Sequence, residues 1–114
     1  MSRSIRIEGL PPLGPIVFQI LVALGEAERH GYDINKEVSE ATRGYVRLGA
    51  GSFYRHLSQL CKDGWIVQTQ RTDDDAMGRR YYRLTPRGRR IAQTEAARLE
   101  RVLRTARARR IYAT

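Results

Sequence analysis

The spacing of apolar residues divides the chain into four helices and a pair of strands. The clearest signal lies in residues 49–64. Phe53, Leu57, Leu60 and Cys61 recur at i, i+4, i+7 and i+8, so a helix gathers them on one stripe. At about 100° per residue, Ser52, Arg55, Gln59 and Lys62 fall on the other side, a small, polar and basic face with no acid in it. The first turn, Gly49-Ala50-Gly51-Ser52, leaves its backbone open to close approach, and Gly64 is the expected left-handed stop. Such a helix is either an ordinary amphipathic surface helix, or one that buries one face and lays the other in the major groove of DNA.

Upstream, Met1–Leu10 reads as a flexible arm, and Pro11, Pro12, Gly14 and Pro15 delay the first helix. That helix is expected over Pro15–Leu24. Ile16, Val17, Phe18, Ile20, Leu21, Val22 and Leu24 cover most of its circumference, which predicts extensive burial. A second helix opens at His30-Gly31-Tyr32 and runs to about Thr42, with Tyr32, Ile34 and Val38 on its inner face and Asp33 suited to the helix dipole. Gly44 closes it, and Tyr45-Val46-Arg47-Leu48 is a short extended link. Helix, helix, short link, helix is the order of a helix-turn-helix.

After Gly64 the period shortens to two. Trp65–Arg71 and Arg80–Leu84 alternate as strands, with the turn-rich Thr72–Arg79 between them, a β-hairpin in which Tyr81 and Tyr82 face opposite sides. Thr85-Pro86 supplies an N-cap and a first-turn proline for a last helix reaching about Arg110, slightly weakened by Gly88. Its seam is Ile91, Glu95, Leu99, Val102, Leu103 and Ala106. Because the globular part is complete before it, this helix is expected to have no core of its own to cover. Its seam is then expected to meet a second copy of the chain, with Glu95 at the edge beside a partner arginine. The fold class is therefore mainly α with a small β-hairpin: a winged helix-turn-helix over residues 11–85 after a 1–10 arm, then a dimerisation helix and basic tail over 86–114.

Composition adds the partner. The chain of 114 residues is 41% hydrophobic, enough for one domain with a modest core. A formal charge of +9 and a pI of about 10.6 favour an anionic partner such as nucleic acid. Nearly all the basic residues are arginines, whose planar fork suits phosphates and guanine edges. The charge is uneven: residues 1–70 carry 8 basic and 7 acidic side chains, residues 71–114 carry 13 and 5. Cys61 is the only cysteine, which excludes an internal disulfide and fits a reducing cytoplasm. No apolar run approaches the roughly 18 residues of a membrane span. Arg3 and Arg6 ahead of the apolar run resemble a secretory leader only faintly, since Pro15 and Gln19 interrupt it.

Other chemistry finds little support. His56 and Cys61 lie about 140° apart on a helix and cannot share a metal. Ser52 and His56 are an i, i+4 pair that could pass for nucleophile and base, but no acid orients the histidine and no oxyanion device is visible. The expectation is no enzyme, no cofactor and no metal.

Five segments in register resemble the PadR family of bacterial transcriptional regulators over about Leu13–Leu103. They are His30-Gly31-Tyr32-Asp33-Ile34, Gly51-Ser52-Phe53-Tyr54-Arg55-His56-Leu57, Asp63-Gly64-Trp65-Ile66, Gly78-Arg79-Arg80-Tyr81-Tyr82-Arg83-Leu84 and Thr85-Pro86-Arg87-Gly88. A single C-terminal helix resembles the short subfamily. The resemblance implies a cytoplasmic homodimer bound to double-stranded DNA at an inverted-repeat operator, usually as a repressor, and a small hydrophobic or phenolic effector in some members. With it, the expected DNA contacts are Tyr32, Gly51, Ser52, Tyr54, Arg55, Gln59, Lys62, Arg79 and Arg80; the dimer contacts are the seam above. Three features depart from the family pattern. Gly49-Ala50 precede Gly51 where the family has Ser or Pro, Asp73, Asp74 and Asp75 crowd the hairpin tip, and the one tryptophan, Trp65, is not on the last helix where drug-sensing members stack flat ligands. Two other readings compete: a winged-helix module that binds protein rather than DNA, and a regulator of another winged-helix family such as a MarR-like one, whose extra helices 114 residues hardly accommodate.

Overall fold

The computed structural model describes residues 12–44, 48–69 and 80–111. The N-terminal arm, most of the link after Gly44, the hairpin tip with Asp73–Asp75 and Arg79, and the last three residues lie outside the described residues. Among the described residues, four helices and three strands follow in the order α1 (Pro15–Ala23), β1 (Arg29–His30), α2 (Gly31–Ala41), α3 (Ala50–Lys62), β2 (Ile66–Thr69), β3 (Tyr81–Leu84) and α4 (Pro86–Ala108).

The helix ends follow local chemistry. α1 starts with Pro15 in its first turn and buries Ile20, Leu21 and Ala23. Its apolar coat is not all internal: Val22 is exposed. α2 is capped by His30, whose Nδ1 accepts the Tyr32 N–H at 3.2 Å. An acceptor Nδ1 leaves the ring proton on Nε2, which is buried without a hydrogen-bond partner among the described residues; the imidazole ring as a whole packs edge-to-face with Tyr81. α3 ends in a Schellman motif: the Gly64 N–H donates to the Cys61 carbonyl and the Trp65 N–H to the Leu60 carbonyl, both at 3.0 Å, with Gly64 at φ +77°.

Tyr32 corrects the expected inner face of α2. It is 65% exposed, while Gly31, Ile34 and Val38 are buried. Gly31 is about 60° from Ile34 around a helix and Tyr32 about 160°, so the glycine faces inward and the tyrosine outward.

The sheet has three strands in the order β1-β3-β2, all antiparallel. β1 leaves no mark in the sequence because two residues cannot display a period of two; it pairs Arg29 with Tyr82 and His30 with Tyr81. As expected of alternation, Tyr82 is buried and Tyr81 only half-buried.

The core joins α1, α2, α3 and the sheet through Ile20, Leu21, Leu24, Ile34, Val38, Phe53, Leu57, Leu60, Ile66 and Tyr82, and it extends to Ile91 of α4. This overturns the expectation that α4 has no core of its own to cover. Ile91 is 2% exposed and Glu95 6%, so the first half of the helix seals the domain. Glu95 therefore does not sit at the edge of an exposed seam. Arg98 of the same chain forks onto it with bonds of 3.0 and 2.6 Å, and the backbone N–H of Leu13 adds a third donor. An unpaired carboxylate here would be costly, and the fork resolves it within one chain.

The start of α4 is fixed by a compact joint. Thr85 Oγ1 donates to the Gly64 carbonyl at 2.7 Å and accepts the Gly88 N–H at 3.0 Å. The Thr85 N–H donates to the Trp65 carbonyl at 3.1 Å. That carbonyl lies directly against Gly88, where an added Cβ would stand 1.9 Å from its oxygen. Gly88 is thus required by backbone contact, and its helix-weakening effect is secondary.

Gly88→Ala forces α4 off Trp65 and should lower stability by about 1–3 kcal/mol, as overpacking does; a chemical denaturation midpoint unchanged from wild type would contradict the contact. The Glu95 carboxyl carries a second prediction. Donation from Arg98, followed by the Leu13 N–H, holds it below its ordinary value of about 4.5 despite the opposing effect of burial. A lowered folded value means that Glu95 contributes stability above about pH 4.5, which is lost as pH falls through the folded value. Acid unfolding of Glu95→Gln should accordingly depend less on pH below about 4.5 than that of wild type. Parallel stability–pH curves would exclude this linkage.

Candidate nucleic-acid interface

α3 is anchored by Phe53, Leu57 and Leu60, all buried, so its opposite face is fixed in solvent. Gly51, Arg55, Gln59 and Lys62 are exposed there and Ser52 is half-buried. The Arg55 guanidinium donates to Ser52 Oγ at 3.0 Å, holding the side chain along the helix while its remaining N–H groups stay available. Gln59 Nε2 donates to Asp63 Oδ1 at 3.0 Å. The expectation of an acid-free face therefore needs correction: Asp63 follows the last helical residue but lies one turn beyond Gln59, on the same side.

Tyr54 and the Arg80 backbone meet at Gly31, beside Tyr32 in the chain. The Tyr54 ring and hydroxyl lie against Gly31, so closely that a Cβ would stand 2.6 Å from the hydroxyl oxygen. Tyr54 is still 42% exposed and packs edge-on against Phe53. Tyr32 follows Gly31 directly. The Arg80 carbonyl accepts the Gly31 N–H at 3.0 Å, which places the exposed Arg80 at the same corner. Lys62 stands apart, at the other end of α3. Arg79 is outside the described residues.

Sequence reasoning misses the roles of Gly31 and Asp63. Gly31 sits in a segment whose capping histidine and tyrosine draw attention, and only the placement of Tyr54 shows why the position lacks a side chain. Asp63 does carry a signal, being four residues after Gln59.

The expected seam of α4 splits in two. Ile91 and Glu95 are internal, Leu99 and Ala106 are half-buried, and Val102 and Leu103 are 53% and 45% exposed. Beyond them Ile111 is exposed as well.

Cys61 is half-buried and burial raises its thiol pKa, which favours the thiol over the reactive thiolate. No group of three or more candidate metal ligands occurs among the described residues. No described helix is long and apolar enough to cross a membrane. A hollow beside Tyr32, lined by Asn35, Lys36, Ser39, Glu40 and Leu48, is open to solvent and gives a flat apolar ligand no enclosed bed.

Two helices joined by a short link, the second carrying an outward polar face and leading into a hairpin, define a winged-helix protein. Residues 20–94 match the Transcriptional regulator PadR-like family, and the chain belongs to it. A transcriptional regulator from Clostridium thermocellum is 24% identical, with a TM-score of 0.66 over 95% of each chain. A PadR family transcription regulator from Clostridium difficile is also 24% identical, with a TM-score of 0.70 over 83% of this chain and 97% of its own. H. salinarum RosR is 26% identical, with a TM-score of 0.62 over 82% of this chain and 76% of its own. No curated protein matches the chain.

Proposed function

We propose that the chain is a homodimeric, cytoplasmic repressor that binds double-stranded DNA at an inverted-repeat operator. The observation that carries this reading is the exposed face of α3: Arg55 and Gln59 project from a helix whose other side is locked in the core. In the major groove, Arg55 matches the acceptors of guanine and Gln59 the donor–acceptor pair of adenine. Gly51 and Ser52 let the helix start approach the backbone. Tyr32, Tyr54 and Arg80 hold phosphates together with Arg79, and Lys62 holds a phosphate from the far end of α3.

The exposed part of α4 supports dimerisation. Val102 and Leu103 lie in one strip with Leu99 and Ala106, apolar surface that a monomer would leave in water. Two-fold pairing there sets two α3 helices about one DNA turn apart, roughly 34–36 Å, which requires an inverted repeat.

Arg55→Ala should weaken operator binding by about 1–3 kcal/mol and relax preference at one or two positions in each half-site. Binding selection from random duplexes checks this, and an unchanged affinity and consensus would remove Arg55 from the reading surface. Val102→Glu should remain folded, because the residue is solvent-facing in the single chain, yet run as a monomer in light scattering. Its operator affinity should fall by about 100-fold as the two half-sites lose their linkage. A Val102→Glu dimer with wild-type affinity would place the interface elsewhere.

A further inference from the structure

The positive charge of the chain is not concentrated on the helix that the proposed reading places in the groove. α3 contributes Arg55 and Lys62, followed by Asp63, whereas α4 carries seven arginines against two glutamates. On α4 the arginines are ordered. Arg87, Arg90, Thr94, Ala97, Arg101 and Arg104 follow alternating steps of three and four residues, which puts them on one stripe. Every one of these positions is exposed. Glu100 reaches Arg104 at 4.0 Å, and Glu95 is turned inward onto Arg98. Arg87, Arg90 and Arg101 are left without an acidic partner among the described residues. The centre of the stripe lies roughly 90–170° around α4 from Ile91, Glu95, Leu99, Val102 and Leu103. Packing onto the core and pairing through the exposed seam therefore both leave it in solvent.

We infer that this stripe is a second, sequence-independent binding surface for duplex DNA. The inference goes beyond operator reading by α3 and does not require it. Several features select the partner. Guanidinium groups fork onto phosphate oxygens. The three unpartnered arginines span about 21 Å of helix, close to the phosphates of about six base pairs. The positions between them are Thr94 and Ala97, with no aromatic ring to stack unpaired bases and no large apolar side chain to enter a membrane. A contact limited to the sugar–phosphate backbone needs only the charge and the fork of these arginines. In the proposed two-fold dimer each copy carries one stripe on the side of α4 away from the seam, which gives an operator-bound protein a place to hold a second stretch of duplex.

The test uses the full chain with Arg87, Arg90 and Arg101 all replaced by Gln, and a matched variant with all three replaced by Lys. Binding to a non-operator duplex is measured across salt concentrations. Loss of the stripe should flatten the slope of log affinity against log salt by about 0.9 for each phosphate that is no longer neutralised. The Lys variant should retain most of the slope, because ammonium groups also neutralise phosphate. On immobilised operator, wild type should capture a second labelled duplex and the Gln variant should not, although both select the same operator consensus. Unchanged slope and unchanged capture in the Gln variant would overturn the inference and leave the stripe a solvated surface. Competition by polyglutamate as effective as by duplex would also overturn it, in favour of an acidic polypeptide. Failure of the operator reading is distinguishable, since it would appear as wild type selecting no consensus while the salt slope of the Gln variant still falls.

Discussion

The hydroxyl of Thr85 is the point through which the parts of the domain are held at fixed angles. It donates to the last carbonyl of the turn that ends α3 and accepts a free N–H in the first turn of α4. The Thr85 backbone binds Trp65, the residue that leads into β2. One residue thereby ties together the end of α3, the start of one hairpin strand, the end of the other and the start of the last helix. A single hydrogen bond of this kind contributes only about 0.5–1.5 kcal/mol net, so the effect is geometric more than energetic. Gly88 makes the arrangement possible by letting helix backbone rest on strand backbone.

That joint decides what α4 can be. Leaving Thr85 at the imposed angle, the helix passes across α1, buries Ile91, and turns Glu95 inward to Arg98 and the Leu13 N–H. Only after Glu95 does it run free of the domain with Val102 and Leu103 in solvent. The same element is core for its first half and available surface for its second, and the arginine stripe runs the length of both.

Most of the architecture is legible in the sequence because its signals are local. The i, i+4, i+7 spacing of Phe53, Leu57 and Leu60, the Thr85-Pro86 cap and the Gly64 stop each act within a few residues and survive into the fold. What escapes a reading of the sequence depends on partners distant in the chain. β1 exists only because β3 is beside it, and Tyr32 reads as core because it is aromatic, although Gly31 occupies the inward position. Ile91 and Glu95 continue the helical period of Leu99 and Val102 without interruption, so periodicity alone does not show where core ends and free surface begins. At the candidate interface the outward set on α3 follows from helix geometry. The meeting of Tyr54 and the Arg80 carbonyl at Gly31 is a tertiary arrangement with no sequence period behind it.

The two-residue strand β1 carries a consequence for the order of folding. Its partners lie on β3, and nearby Arg89 of α4 donates to the carbonyl of Gly25, 64 residues away in sequence. Contacts this remote form after the intervening chain has been made and brought round, at the cost of closing a long loop. α1 and α2 can therefore appear early during synthesis, but the segment between them cannot be stitched down until β3 and the first turns of α4 have emerged. The beginning of the domain is thus completed by its end. A chain interrupted within the hairpin would lack the strand that receives β1 and the arginine that closes over Gly25, leaving the first two helices without the sheet edge that fixes their spacing.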